Sequence, residues 1–412
     1  MHETQNNCFV GLDIGTSTVR CVVGMIDPTS NGKLSIIGHG SAKNSGMRKG
    51  TVVHVDDVAE SIIKAVTETE RISGQQIRHA TVNVNGSHVL GFNSKGVIAI
   101  SAANREITAE DRMRVEEAAA VVSLPVNREI VQFFAKNYSL DGQQNIKDPV
   151  GMQGIRLEVD AHIVTAATPN LRNLSQALEK AEVAPSNYTV SGLAAAEAVL
   201  SRQQKEAGTL VLDIGAGTTN LIVIEDGEVQ HVAIIPVGGI NLTNDLAIGL
   251  KTDLDVAERV KIEHASLAKD NDKTTVSVKN GKQLLSFDYT DVAMITEARL
   301  DELLEFVDKE LHKIKRSRKL PGGVVLVGGT AQIPGLAEFT RDKLELPARI
   351  GHIQNVSGLV DTVEGTAYCS VVGLMMLDML LLPTANIHQA GSLAQSTYSL
   401  ADKLLKRLKK HR

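Results

Sequence analysis

Leu12-Asp13-Ile14-Gly15-Thr16-Ser17-Thr18 returns 200 residues later as Leu212-Asp213-Ile214-Gly215-Ala216-Gly217-Thr218. Each copy follows a short apolar run, Phe9-Val10-Gly11 or Leu210-Val211, and leads into another, Cys21-Val22-Val23 or Leu221-Ile222-Val223. The pattern predicts strand, tight turn, strand, with a carboxylate at the mouth of the turn. Glycines let the backbone turn sharply and expose N–H groups, the usual way a loop grips phosphate. One such turn is equally an ordinary hairpin with an exposed Asp. Its duplication suggests two halves clamping one phosphate chain.

Like charges keep Asp13 and Asp213 off the phosphates. Facing each other across a cleft, they are suited to hold Mg²⁺ through water, and the ion then neutralises the triphosphate. Thr16, Ser17, Thr18, Thr218 and Thr219 add hydroxyl donors, and Arg20 supplies a full positive charge. A third glycine-rich turn lies in Gly322 to Leu336, where a buried-strand pattern ends in Gly328-Gly329-Thr330 and a helix pattern follows. Missing side chains at Gly328 and Gly329 let a flat purine lie against the backbone.

Two phosphate hairpins and a Gly-Gly-Thr adenosine turn, in this order, resemble the actin, Hsp70 and sugar-kinase superfamily. The resemblance implies an α/β fold: an actin-like duplicated ATPase fold, two lobes around a nucleotide cleft, with ATP and Mg as cofactors. It places Gly15, Gly215, Ala216, Gly217, Gly238, Gly239, Gly328, Gly329 and Thr330 against the nucleotide. Glu258 and Lys261, in Ala257-Glu258-Arg259-Val260-Lys261, match the helix positions that flank the adenosine. A solvated helix face carries the same residue types.

Composition fits a well-cored chain: 412 residues, 43% apolar and 22% charged, enough for two to four subdomains. A net charge of −5 gives no reason to expect nucleic acid. Cys8, Cys21 and Cys369 are odd in number and lack metal-ligand spacing, which fits a reducing cytosol. The polar N-terminus has no signal-peptide core, and the apolar run Val371 to Leu382, broken by Asp378, is too short to span a bilayer. That run is expected to be a buried core helix.

From about Gly86 to His162 the sequence predicts a small αβ insertion. It has a strand at Val97-Ile98-Ala99-Ile100 and an N-cap at Thr108 for a helix with acidic Glu110 and Asp111 in its first turn, running into Met113 to Val122. Strands follow at Glu129 to Tyr138 and Ile155 to Thr165, joined by a long glycine-rich connection. Within it, Tyr138-Ser139-Leu140-Asp141-Gly142 and Ile146 to Val159 look like the inserted subdomain of the FtsA family, the bacterial actin homologues of cell division. Ile235 to Leu246 and Thr296-Glu297-Ala298-Arg299-Leu300 are also similar, and the resemblance covers roughly residues 8 to 382. Two positions depart from the family pattern: Ala216 replaces a glycine, and Asn220 stands where an acidic residue near the metal is usual. No general base stands out, so no catalytic residue is assigned and ATP hydrolysis is left open.

The last residues carry a second signal. At about 100° per residue, Leu400, Leu404, Leu405 and Leu408 share one arc with Ala401, while Lys403, Lys406, Arg407, Lys409 and Lys410 fill the other side. Residues 400 to 412 hold six Lys/Arg against one Asp, in a chain that is acidic overall. This suits an amphipathic anchor on an anionic membrane surface, though a core-docking helix or a disordered basic tail fits the same composition. FtsA proteins are similar in ending with such a helix.

The resemblance divides the chain into subdomain 1A (1–85, 164–190, 369–382), inserted subdomain 1C (86–163), 2A (191–241, 322–368), 2B (242–321), a linker (383–397) and the amphipathic helix (398–412). It implies an ATP-binding, filament-forming protein, peripheral on the inner face of the cytoplasmic membrane at the division site. Such a protein would bind the C-terminal peptide of the division polymer FtsZ and recruit later division proteins. Arg299 and the stretch Lys313 to Arg316 are candidates for the FtsZ surface, although a solvated helix face explains them equally well. The alternatives are a PilM-type adaptor of pilus assembly and, with the same hairpins, a small-molecule kinase.

Overall fold

The computed structural model describes residues 8–26, 33–101, 104–121, 126–268 and 273–381. The proposed linker and amphipathic helix lie outside the described residues, and with them Leu400, Leu404, Leu405, Leu408, Lys403, Lys406, Arg407, Lys409 and Lys410.

Both repeated phrases fold as the turn of an antiparallel hairpin, Cys8–Ile14 with Thr18–Ile26 and Thr209–Ile214 with Thr219–Glu225. Each hairpin anchors a sheet of the same plan. In the first lobe the order is Ala184–Val190, His79–Val84, Cys8–Ile14, Thr18–Ile26, Leu34–Lys43, then Val356–Gly358. In the second it is Ala348–Ile350, Val324–Val327, Thr209–Ile214, Thr219–Glu225, Glu228–Ile235. The leading hairpin strand has a parallel neighbour on one side and an antiparallel meander on the other in both lobes. The duplication read from seven residues is therefore a duplication of whole sheets.

Alternation along each strand feeds two layers. Val10, Leu12 and Ile14 pack with Val58 and Ile62 of the helix Val55–Ser73, while Phe9 and Val22 face Val371, Val372 and Met375 of the helix Cys369–Leu381. The apolar run that starts at Val371 is thus a core helix as far as Leu381, the last described residue, as its composition predicts. It lies so close to its neighbours that only glycine fits at the contacts. A Cβ on Gly11 would sit 2.2 Å from the Val371 carbonyl oxygen, and one on Gly373 would sit 1.7 Å from that of Ala194, in the helix Ser191–Val199. Asp378, buried on the same helix, accepts the Val10 N–H at 3.0 Å and the Thr81 hydroxyl at 2.7 Å, tying it to the first lobe.

The insertion is a four-stranded antiparallel sheet, ordered Leu90–Ala99, Arg156–Ala167, Arg128–Leu140, Gln143–Ile146, with the helix Ala109–Ala120 on it. Thr108 caps that helix reciprocally: its hydroxyl accepts the Asp111 N–H at 3.2 Å, and Asp111 accepts the Thr108 N–H at 3.1 Å. The helix begins immediately behind that cap, with Glu110 and Asp111 in its first turn. Grown from the first lobe, this sheet also rests on the second. Buried His162 accepts the N–H of Val232, on the edge strand Glu228–Ile235, at 3.1 Å, and Lys147 reaches Glu206 at 3.3 Å and the Asp226 carbonyl at 2.8 Å. Beyond the second sheet, the helices Gly239–Gly249, Leu254–His264 and Tyr289–Lys313 and the hairpin Thr275–Asn280/Gln283–Asp288 share a core with Leu210, Leu212 and Ile214.

Candidate functional site

The two turns close identically: Gly15 N–H donates to the Thr18 carbonyl at 3.1 Å, and Gly215 N–H to that of Thr218 at 2.9 Å. Between them lies a cavity of about 410 Å³. It is lined from the first lobe by Asp13, Gly15, Thr16, Ser17, Thr18 and Arg20, and from the second by Asp213, Gly215, Ala216, Gly217 and Thr218. Gly239, Glu258, Lys261, Gly328, Gly329 and Thr330 complete the sequence-derived lining.

Asp13 and Asp213 are buried, 8% and 6% exposed. Burial pushes the Asp13 carboxyl up to about 7, against the lowering effect of Arg20, and the charge of Asp213 adds to the rise. Asp213 is raised by burial and partly restored by the hydrogen bonds of Ser370 and Asn220. Each acid is held in place: Asn83 donates to Asp13 at 2.6 Å, while Asn220 and Ser370 donate to Asp213 at 3.1 and 3.2 Å. Asn83 also accepts the Ile14 N–H at 2.7 Å and donates to Ser191 at 3.0 Å.

Gly328 adopts φ +89°, and a Cβ there would come within 2.7 Å of an Asp213 oxygen, so the strand–turn junction tolerates only glycine. A Cβ on Gly329 would meet nothing within 4 Å among the described residues, leaving open space above the backbone. At the far end Lys261 donates to Glu258 at 2.6 Å, to Thr243 at 2.9 Å and to the Gly239 carbonyl at 3.2 Å, beside the apolar lining of Ile262, Ala265, Ile333 and Pro334.

Two candidates do not line the cavity. Thr219 is fully buried and donates to the Val237 carbonyl at 2.9 Å, because consecutive residues of a strand point to opposite faces. Gly238 supports the turn from behind, its N–H donating to Asn241 at 3.0 Å. Arg20 faces Asp13 across the hairpin and lies over the Tyr368 ring, 5.3 Å from its centroid. Arg299 is elsewhere, paired with Asp245 and Glu302; Lys313 and Arg316 pair with Glu310 and Glu225. Asn85, Ser191, Ser370 and Gly50 also line the cavity, and Asn83, buried behind it, holds Asp13; the sequence reading named none of them. Asn83 alone left a trace, sitting at the carboxyl end of a parallel strand, where α/β sheets bind ligands.

Mg²⁺ fits these donors. Among the described residues no three His, Cys, Asp or Glu side chains gather as a metal cage. Two facing carboxylates suit an ion that keeps most of its water.

Sequence comparison sharpens the picture. A family model described as "Cell division protein FtsA" matches residues 210–373, and one described as "SHS2 domain inserted in FTSA" matches residues 86–165. The cell division protein FtsA of Bacillus subtilis is 38% identical over 374 residues, covering 90% of this chain and 83% of the relative. The chain belongs to the FtsA family. Cell division is therefore the process of this FtsA chain, and its fold is actin-like. A PilM–PilN complex of type IV pilus biogenesis matches with TM-score 0.65 at 17% identity, covering 90% of this FtsA chain and 98% of that one. MreB5 of Spiroplasma citri bound to ADP matches with TM-score 0.53 at 12% identity, covering 90% and 96%. At these identities the likeness is one of fold alone, so the division reading stands ahead of the pilus adaptor.

Proposed function

We propose that this FtsA chain binds ATP with Mg²⁺ in the interlobe cleft, assembles into filaments, and tethers FtsZ to the inner face of the cytoplasmic membrane, recruiting later division proteins. The reading is carried by one observation: in an FtsA-family chain, two buried carboxylates of duplicated glycine turns face one cavity. Thr16, Ser17, Thr18 and Thr218, with the turn N–H groups, are the donors for the phosphates; Glu258, Lys261 and Gly329 bound the space for the adenosine. Bound Mg²⁺ supplies the positive charge that lets phosphate lie against Asp13 and Asp213. No residue is assigned to activating water. The six-part division given above, with 1C as a separate unit, belongs to the same reading. FtsZ's C-terminal peptide is assigned to subdomain 2B, with Arg299 as a candidate contact.

Among the described residues no helix is long and apolar enough to cross a membrane, so attachment is assigned to the basic, leucine-bearing segment 398–412. The test is co-sedimentation of FtsZ with anionic phospholipid vesicles and Mg-ATP, using the intact chain or Leu404→Asp. The intact chain is expected to carry FtsZ into the pellet and the variant to leave it in solution. If both variants pellet FtsZ equally, the tail is not the tether; if neither does, the tethering role is lost.

A further inference from the structure

Asn220 holds in the second hairpin the place of Arg20 in the first: Asp13 pairs across its hairpin with Arg20, Asp213 with Asn220. Asn220 is 1% exposed and lines the cavity. Its Nδ2 donates to Asp213 Oδ2 at 3.1 Å. Because a carboxylate only accepts, that contact fixes which way the amide faces. Asn220 Oδ1 is then a buried acceptor with no hydrogen-bond partner among the described residues. Buried acceptors are rarely left unpaired.

The surrounding protein offers no donor. The Ser370 hydroxyl is spent on Asp213 at 3.2 Å, and Gly192 approaches so closely that a Cβ there would lie 2.8 Å from Asn220 Cβ. The missing donor therefore comes from the cavity side. A water that gives one hydrogen to Asn220 Oδ1 and the other to Asp213 turns its lone pairs away from both, which is the orientation of a water bound to a cation.

We propose that Asn220 is a positioning residue whose Oδ1 accepts a hydrogen bond from a water in the hydration shell of the nucleotide's divalent cation. The inference rests on the Mg-nucleotide reading above and adds a ligand-facing role on the second hairpin. An amide serves where a carboxylate would set a third negative charge beside Asp213. It holds Asp213 with its N–H and still presents an oxygen to the ion's shell.

The experiment is calorimetric titration of the full chain with ATP, in excess Mg²⁺ and in EDTA, taking the ratio of the two affinities as the magnesium increment. Asn220→Leu is expected to cut the increment, the ratio of the two affinities, about ten-fold. Asn220→Asp is expected to do the reverse, raising the increment and weakening binding in EDTA. Since the leucine variant also removes a donor from Asp213, the opposite response of the aspartate variant separates shell contact from general disturbance. A wild-type increment that neither substitution moves overturns this inference alone. A wild-type chain whose ATP affinity ignores Mg²⁺ overturns it together with the magnesium reading.

Discussion

His162 shows how a single side chain is specified by its contacts. Its Nε2 accepts the Val232 N–H, so Nδ1 must carry the proton that it shares with Asn93 at 2.8 Å. Burial, with His231 and Lys136 close by, lowers its pKa from 6.5 to about 3. His231, itself lowered mainly by burial, touches Glu310 at 3.2 Å. The sign follows directly. Below pH 6.5 the unfolded chain takes up a proton that the folded chain refuses, so stability is whole above that pH and falls as pH drops toward 3. Between pH 6.5 and 5 this one residue should cost roughly 2 kcal/mol. Thermal melts of wild type and His162→Gln across that range should differ in slope, with the glutamine variant flatter; parallel curves would remove His162 as the cause. At this scale the sequence was legible where residue type and repetition coincided, as at Asp13 and Asp213. Asn83, Ser191 and Ser370 are single polar residues at strand or helix ends, and nothing local distinguishes them from caps. Thr219 opens its strand one residue before the cavity-lining Asn220, so it faces the other way.

Among the elements, the helix Cys369–Leu381 is the most tightly constrained by shape. A methyl group at Gly373 has no space against the helix Ser191–Val199, so Gly373→Ala should destabilise by about 1–3 kcal/mol. Gly365→Ala, whose Cβ would meet nothing closer than 3.8 Å, should change little. Urea unfolding of the two variants checks the contrast, and equal midpoints would show that the helices separate freely. The hydrophobic run and the Thr108 cap made their helices readable because both signals are local. The strand Gln143–Ile146 was not readable. Gln143, Gln144 and Asn145 are exposed and polar, and they form a strand only by pairing back onto Tyr138 and Leu140.

For the molecule as a whole, the turn sequences revealed the duplication, whereas the seating of the inserted sheet on the second lobe depends on pairs such as His162 and Val232, distant in sequence and ordinary in type. A ligand gripped by both lobes stabilises them jointly. Mg-ATP at a free concentration one hundred times its Kd should add about 2.7 kcal/mol, and calorimetry should show one transition moving upward. Two transitions, with only one moving, would mean that a single lobe holds the nucleotide. The helix Cys369–Leu381 has a mechanical meaning in this setting. Near its start Ser370 grips Asp213 of the second lobe, and toward its end Asp378 grips Val10 and Thr81 of the first. From Ser370 to Leu381 is a stiff span of about 17 Å. The helix is thus a tie-rod bolted to both lobes, and a rotation of one lobe against the other must strain one of its two fastenings.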